Sequence, residues 1–175
     1  MSGVRAMIYL FTGEGGGKTI AALGLALRSV GQKRKVVMIQ FLKGRKDTGE
    51  FKIAQKLKPY LKVFQFGRPG FVNLRDPDEA DKALARKGFE FARRAVRSKP
   101  DLLILDELNL AMAAKMVPEK DVIAFLKKVP KSVDVVLTGR HASTRLYKIA
   151  DGVSVVKKVK HVFDRGIQAR KGIEY

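Results

Sequence analysis

Apolar and polar residues follow one another along this chain in blocks that favour strands and helices in turn. Short runs rich in Val, Ile, Leu and Phe are typical of buried strands, and we predict strands at residues 5–12, 35–40, 61–66, 102–106, 133–138 and 152–156. Between these runs the apolar residues recur at the helical period, which predicts helices at residues 19–30, 50–57, 77–97, 119–128 and 144–149.

The alternation of strands with helices predicts an α/β fold, namely a doubly wound, mainly parallel six-stranded sheet with right-handed crossovers. The runs at residues 102–105 and 133–137 are almost continuously apolar, as expected of parallel strands covered on both faces. With 175 residues, 46% of them apolar, the chain can bury one sizeable core, so we expect a single domain over residues 1–175. Residues 157–175 follow neither period and are expected to form an irregular tail on that domain.

The third predicted helix carries a start signal of its own. Asp76 is a candidate N-cap, Pro77 suits the first helical position, and Glu79 would complete a capping box. We therefore expect this helix to begin at Pro77.

The segment between the first predicted strand and the first predicted helix carries the strongest chemical signal. Its sequence over residues 12–19, Thr-Gly-Glu-Gly-Gly-Gly-Lys-Thr, is typical of a phosphate-binding P-loop, although Thr12 stands where the usual pattern has glycine. Glycines allow successive backbone N–H groups to turn toward an anion, and the start of the helix adds its positive dipole end. Lys18 is expected to reach phosphate oxygens and Thr19 to ligate Mg²⁺. The predicted nucleotide-binding residues are Thr12, Gly13, Glu14, Gly15, Gly16, Gly17, Lys18, Thr19 and Ile20.

A second nucleotide signal ends the fourth predicted strand, where an apolar run leads into Asp106 and Glu107. We expect this strand to lie beside the P-loop strand, so that Asp106 or Glu107 faces the metal, directly or through water. The predicted metal ligands are therefore Thr19, Asp106 and Glu107, and the predicted catalytic residues are Lys18, Thr19 and Glu107. Arg140, at the end of the fifth strand, is well placed to bind phosphate oxygens.

No side chain of the sequence stands out as the base of a hydrolase. His141 lies in the loop after the fifth strand, where a solvated histidine and a functional one are both open readings. Gln40, at the end of the second strand, and Glu107 are the candidates for orienting a nucleophile at the γ-phosphate. A P-loop kinase or ATPase is therefore one alternative function.

Composition bears on the remaining classes of function. The 36 Lys and Arg residues against 17 Asp and Glu give a net charge of +19, which attracts polyanions and makes a nucleic-acid-binding NTPase the second alternative. The basic residues are scattered, however, and the longest run is Lys33-Arg34-Lys35, so we expect no specific nucleic-acid partner.

Cysteine is absent, which excludes disulfides and thiolate metal sites and fits the cytoplasm. There is no run of 18 apolar residues and no signal-peptide pattern, so we expect no membrane association.

The P-loop is followed along the chain by residues 39–44 (IQFLKG), 105–108 (LDEL), 138–140 (TGR), 160–164 (KHVFD) and 172–175 (GIEY). Together with the P-loop, and in this order over nearly the whole chain, these blocks resemble the CobA/BtuR class of ATP:corrinoid adenosyltransferases. The Gln-Phe-hydrophobic-Lys-Gly block and the Lys-His-x-Phe-Asp block are specific, because P-loop proteins in general lack them. The P-loop of this family also begins with Thr, as Thr12 does here.

The resemblance implies a reaction in which the Co(I) of a reduced corrinoid, cobalamin or cobyrinic acid a,c-diamide, takes the 5′-deoxyadenosyl group of ATP and triphosphate leaves. Because the cobalt is the nucleophile, the protein needs no general base and must instead position ATP and Mg²⁺ and neutralise charge. The resemblance also implies a homodimer and a reducing flavoprotein as partner. It leaves open which corrinoid is preferred and whether the enzyme serves synthesis or salvage.

The resemblance further implies a corrinoid platform in the loop after the third strand, where aromatic residues of the family exclude the lower axial ligand of cobalt. Phe71 matches one of these aromatics and is the predicted corrinoid-binding residue. Asn73 stands where a member has tryptophan, and this chain contains none. Gly16 also replaces a lysine that is common in the family's P-loop. The missing tryptophan leaves the ligand-exclusion step open, whereas the departure at Gly16 concerns the P-loop.

Overall fold

A computed structural model describes residues 6–70 and 72–175 of the chain, apart from the side chain of Phe163. The strands are β1 (Ile8–Thr12), β2 (Val36–Phe41), β3 (Leu61–Phe66), β4 (Leu102–Asp106), β5 (Asp134–Thr138) and β6 (Gly152–Val155). The helices are α1 (Lys18–Gly31), α2 (Gly49–Lys56), α3 (Glu79–Ala95), α4 (Leu108–Ala113), α5 (Glu119–Leu126) and α6 (Thr144–Ile149), with 3₁₀ turns at Val96–Ser98 and Val162–Arg165. None of these helices is long and apolar enough to cross a membrane.

The strands form one parallel sheet in the order β3-β2-β4-β5-β1-β6. The predicted doubly wound α/β fold with a six-stranded parallel sheet is therefore confirmed. The expectation that the strand ending at Asp106 lies beside the P-loop strand was wrong, because β5 lies between β4 and β1. Leu103 pairs with Val135 on one side of β5, and Leu10 pairs with Leu137 on the other. All six strands nevertheless end at the same edge of the sheet, which is where ligands bind in such folds.

Side chains that alternate along the strands fill two cores, one on each face of the sheet. Leu103 and Leu105 of β4 belong to the face covered by helices that include α3 and α5, whose Phe89 and Phe125 pack edge to face with ring centroids 5.6 Å apart. Ile104, between them, belongs to the opposite face, where the small side chains of α1 and α2 allow close packing. The residues of that second core on these helices are Ala22, Ala26 and Ala54.

Two local predictions need correction. Helix α3 begins at Glu79, and its N-cap is Asp78, whose carboxylate accepts a hydrogen bond from the Asp81 N–H at 2.8 Å, so Asp76 is not the cap. The same Asp78 carboxylate binds Arg68 at 2.8 Å, which fixes the start of the helix two residues later than predicted. Helix α4 was missed because its six residues follow directly after a strand and are too few to show a helical period.

Candidate functional site at the carboxyl edge of the sheet

The P-loop joins β1 to α1 and packs on the backbone that follows β6. Gly13 and Gly17 have φ values of +100° and +98°, which favour glycine. A Cβ on Gly13 would lie 2.5 Å from the carbonyl oxygen of Val156, and the Gly15 N–H donates to that same oxygen at 2.8 Å. Because the loop is held from behind by this contact, its shape is set before any anion arrives.

The Lys18 side chain folds back into the loop that precedes it. Its ammonium donates to the carbonyl oxygens of Gly13 at 2.8 Å and Gly15 at 2.7 Å, and the residue is only 6% exposed. Burial lowers the pKa of Lys18, although the charge of Glu107 opposes this shift. The lysine therefore lies at the floor of the loop, where the predicted phosphate contact requires it.

Asp106 is the centre of a hydrogen-bonded cluster at the end of β4, and its side chain is fully buried. One carboxylate oxygen accepts from the hydroxyls of Thr19 at 2.8 Å and Thr138 at 2.7 Å. The other accepts from the Gln40 amide at 3.1 Å and the Lys43 ammonium at 2.8 Å. Burial pushes the pKa of Asp106 upward, but the Lys43 charge and these hydrogen bonds outweigh it and hold the pKa below its ordinary value. Asp106 is therefore ionised at neutral pH.

Glu107 differs from Asp106 in its backbone geometry and in the direction in which its pKa is shifted. Its backbone is left-handed, with φ of +61°, and its N–H donates to the Thr138 hydroxyl at 3.0 Å. Burial and the neighbouring Asp106 charge raise the pKa of Glu107. One of its carboxylate oxygens is buried and has no hydrogen-bond partner among the described residues. That oxygen lies against Gly139, while Glu107 as a residue lines the cleft.

Gln40 was a candidate for orienting a nucleophile, but its side chain is hydrogen-bonded to other side chains of the site. Its amide donates to Asp106 and, at 3.2 Å, to Glu50, while its oxygen accepts from Gln65 at 3.0 Å. The side chain is fully buried and its described contacts are all within the protein. Gln40 therefore orders the carboxylates of the site instead of facing a water molecule.

Lys43 is a residue of the site that the sequence prediction did not single out. It contacts both Asp106 and, at 3.2 Å, the Thr19 hydroxyl. Lys43 is the lysine of the Gln-Phe-hydrophobic-Lys-Gly block, which indicates the family but does not by itself indicate a contact with Asp106. Its role depends on β2 lying beside β4, a neighbour relation that the sequence pattern does not state.

An open cleft of about 610 Å³ lies over the P-loop and brings most of the predicted residues together. The predicted residues that line it are Glu14, Gly15, Gly16, Gly17, Lys18, Thr19, Ile20, Glu107 and Arg140. Thr12 is buried behind the loop, where its hydroxyl accepts from the Ala142 N–H at 3.3 Å. Phe71 lies outside the described residues, so its predicted corrinoid contact stays a prediction.

The outer rim of the cleft is formed by exposed charges and by the tail. Arg140 and His141 both approach the Glu14 carboxylate, at 3.6 Å and 3.7 Å. The tail contributes Tyr175, whose ring lies 4.3 Å below the Arg45 guanidinium, and His161, whose imidazole is 3.2 Å from where a Cβ of Gly16 would be. The glycine at position 16 therefore leaves room for His161.

The polar groups of the site suit a metal ion that arrives with a nucleotide. Among the described residues no three His, Cys, Asp or Glu side chains form a group that could hold a metal alone. Mg²⁺ in phosphate sites characteristically takes one or two protein oxygens and completes its shell with phosphate and water. The Thr19 hydroxyl and the carboxylates of Asp106 and Glu107 form such a partial set.

A glycine loop between a strand and a helix, a buried lysine within it and a carboxylate two strands away define a nucleotide-binding protein of the P-loop class. The chain belongs to the ATP:corrinoid adenosyltransferase family BtuR/CobO/CobP, whose family model matches residues 4–175. Members of this family are enzymes that transfer the adenosyl group of ATP to a corrinoid. The predicted family, activity and enzyme class are thereby confirmed, and the kinase and nucleic-acid alternatives are disfavoured.

Individual relatives agree with this assignment. The corrinoid adenosyltransferase of Escherichia coli K12 is 38% identical over 172 residues, which cover 98% of this chain and 86% of that protein. The corresponding CobA enzyme of Salmonella typhimurium LT2 is 37% identical with the same coverage. Among solved structures, the KaiC-like protein PH0186 of Pyrococcus horikoshii has a TM-score of 0.53 and 17% identity, covering 89% of this chain and 75% of that one. This last likeness concerns the fold alone.

Proposed function

We propose that the cleft binds ATP with Mg²⁺ and holds the triphosphate as a leaving group while the Co(I) of a reduced corrinoid attacks the 5′ carbon. A cobalt–carbon bond forms from the cobalt electron pair, the bond between the 5′ carbon and the α-phosphate oxygen breaks, and intact triphosphate leaves. The observation that carries this proposal is that lysine and arginine side chains and the amides of the P-loop line one cleft. The side chain that could have oriented a hydrolytic water, Gln40, is instead hydrogen-bonded to Glu50 and Asp106.

The residues of the cleft have separate roles in this proposal. Lys18 and the P-loop amides bind phosphate oxygens, and Arg140 at the rim adds a further positive charge. Thr19, Asp106 and Glu107 would hold the Mg²⁺, which when bound supplies positive charge against the leaving group. Because Lys18 and Thr19 are held in place by hydrogen bonds within the protein, they are positioned in advance for growing charge on triphosphate.

The corrinoid side of the site is assigned to the loop between β3 and α3. Arg68 anchors this loop to the first turn of α3 by two hydrogen bonds to Asp81, at 2.8 Å and 2.7 Å, and one to Asp78. A loop held at this point can present an apolar platform, and Phe71 is our candidate for the corrinoid contact. A homodimer, a reducing flavoprotein and a cytoplasmic location, the last supported by the absence of cysteine, complete the proposal.

The test is anaerobic incubation of the protein with ATP, Mg²⁺ and chemically reduced corrinoid, with the cobalt–carbon bond followed by absorbance. Chromatography of the spent nucleotide should show one triphosphate for each adenosylated corrinoid, and ATP should persist when corrinoid is omitted. Stoichiometric ADP, or rapid ATP consumption without corrinoid, would refute the proposed reaction. Running cobalamin and cobyrinic acid a,c-diamide in parallel identifies the preferred substrate.

A further inference from the structure

Lys43 starts from a backbone position that the fold holds tightly. Leu42, with φ of +60°, turns the chain out of β2, and its N–H donates to the Phe66 carbonyl at 3.0 Å. The loops that follow β2 and β3 then touch: a Cβ on Gly67 would collide with the Lys43 backbone, and one on Gly44 would collide with the Gly67 backbone. Side chains other than glycine would separate these loops and move Lys43 away from the site.

The Lys43 ammonium lies between the two side chains whose oxygens are assigned to the metal. It is 2.8 Å from an oxygen of Asp106 and 3.2 Å from the hydroxyl of Thr19. A divalent metal bound directly by these two side chains would have to enter the space between them, which the ammonium takes. Lysine and metal cannot both occupy this position.

The charge of Asp106 requires a positive partner. Its carboxylate is completely buried, and an unpaired buried charge is strongly unfavourable. Lys43 supplies that partner in the arrangement described here, while 29% of its side chain is exposed to the cleft. A metal ion at Asp106 would repel the ammonium, because charges in a buried site are weakly screened. The cleft around Lys43 offers the displaced ammonium the carboxylates of Glu50 and Glu107 and, once a nucleotide is bound, its phosphate oxygens.

We propose that Lys43 and the metal of Mg–ATP are alternative cationic partners of Asp106, and that nucleotide binding draws the Lys43 ammonium onto the phosphate oxygens. This inference rests on the proposed function, since it requires that the cleft bind ATP with Mg²⁺. Lys43 then has two tasks. Before loading it neutralises Asp106 and keeps the Thr19 hydroxyl in place, and after loading it binds the triphosphate.

The test separates these two tasks because removing the Lys43 charge should strengthen the binding of a metal ion alone and weaken the binding of Mg–ATP. Lys43→Met keeps the length of the side chain and removes its charge, Lys43→Arg keeps the charge, and Lys46→Met removes an exposed charge from the same loop as a matched control.

Mn²⁺ alone, followed by electron paramagnetic resonance without nucleotide, should bind Lys43→Met about tenfold or more tighter than wild type, because its competitor for a buried carboxylate is gone. Mg–ATP, followed by calorimetry, should bind the same variant about tenfold or more weaker, because a charge-assisted phosphate contact is lost. Both affinities should stay within about twofold of wild type in Lys46→Met, since the charge removed there is screened.

Each arm can overturn its part of the inference. Unchanged or weaker Mn²⁺ binding in a folded Lys43→Met variant would refute the competition, and unchanged Mg–ATP affinity would refute the phosphate contact. Mn²⁺ binding to Lys43→Arg as tight as to Lys43→Met would show that charge is not the cause. If circular dichroism shows that the Met variant does not fold, Lys43→Gln, which can still donate to Asp106, is judged by the same criteria. A wild-type protein that fails to bind Mg–ATP would refute the proposed function, whereas the Mn²⁺ comparison would still decide the competition.

Discussion

Lys18 is the residue whose removal should separate function from stability most clearly. Lys18→Ala should lower adenosyl transfer at least about a hundredfold, as loss of a fixed donor to developing charge commonly does. The fold should persist, because burial lowers the pKa of Lys18 and so disfavours its charged form there, and its two hydrogen bonds are confined to the P-loop itself. Steady-state turnover and a thermal melt measure the two effects, with Lys46→Ala as an exposed control. Turnover close to wild type would remove the P-loop assignment.

Asp106→Asn should destabilise the protein in a pH-dependent way. The change leaves the partly buried Lys43 beside a neutral group, and because 29% of that side chain is exposed we expect a cost below the about 3–5 kcal/mol of a fully buried pair. Because the pKa of Asp106 is lowered in the folded protein, its contribution is present above the ordinary value of 3.8 and is lost as pH falls below it. Urea unfolding of both proteins from pH 7 to pH 2 should show a difference in unfolding free energy that shrinks toward the acid end. A difference that is constant or grows on acidification would contradict the charged pair.

At the scale of elements, the loop between β3 and α3 is expected to act on the reduction step. Phe71→Ala should impair the reaction more when Co(II) must be reduced on the enzyme than when Co(I) is supplied ready-made. The reason is that an apolar platform that excludes the lower axial ligand makes four-coordinate Co(II) easier to reduce. The measurement is the ratio of wild-type to variant rate in the two assays, with equal Mg–ATP affinity as the check on the rest of the site. Equal losses in both assays would assign Phe71 to packing or general binding.

Strands and helices were predicted accurately where a run of residues carries the pattern, and less accurately where a single side-chain contact determines the end of an element. The strands Leu61–Phe66 and Leu102–Asp106 were predicted to the residue, because apolar runs between turns are read locally. The start of α3 was misplaced because Asp76 and Asp78 are both acceptable caps, and the choice of Asp78 depends on Arg68. Strand order is a non-local property, so the strand between β1 and β4 could not be read from the pattern.

The site was predictable to the extent that its residues are local in sequence. The P-loop from Gly15 to Ile20 and the acidic end of β4 carry recognisable spacing, and the structure places them around one cleft. Lys43 was not found, since its significance comes from a carboxylate 63 positions away in the chain. Thr138 was missed for the same reason: its bonds to Asp106 and Glu107 become visible only once β4 and β5 are paired.

At the scale of the whole molecule, the net charge of +19 should give weak binding to nucleic acid and no specificity. Dispersed charges attract a polyanion through counterion release, which falls steeply with salt. A labelled DNA duplex followed by fluorescence anisotropy should bind at low salt, without sequence preference, and dissociate near physiological salt. The control is ATP consumption with and without the duplex, which should be equal. A complex that survives such salt and stimulates ATP turnover would favour the nucleic-acid alternative.

Because the P-loop contacts the segment after β6, we expect the tail that follows this segment to respond to nucleotide binding. The Gly15 N–H is bonded to the Val156 carbonyl, and beyond that point the chain returns to the cleft through His161 and Tyr175. Two elements that share a contact and a ligand influence each other equally, because thermodynamic coupling is reciprocal. ATP should therefore slow amide hydrogen exchange in the tail, and a tail weakened by mutation should hold ATP less tightly. The end of the chain, far from the P-loop in sequence, is then a place where nucleotide affinity can be tuned without altering any group that contacts phosphate.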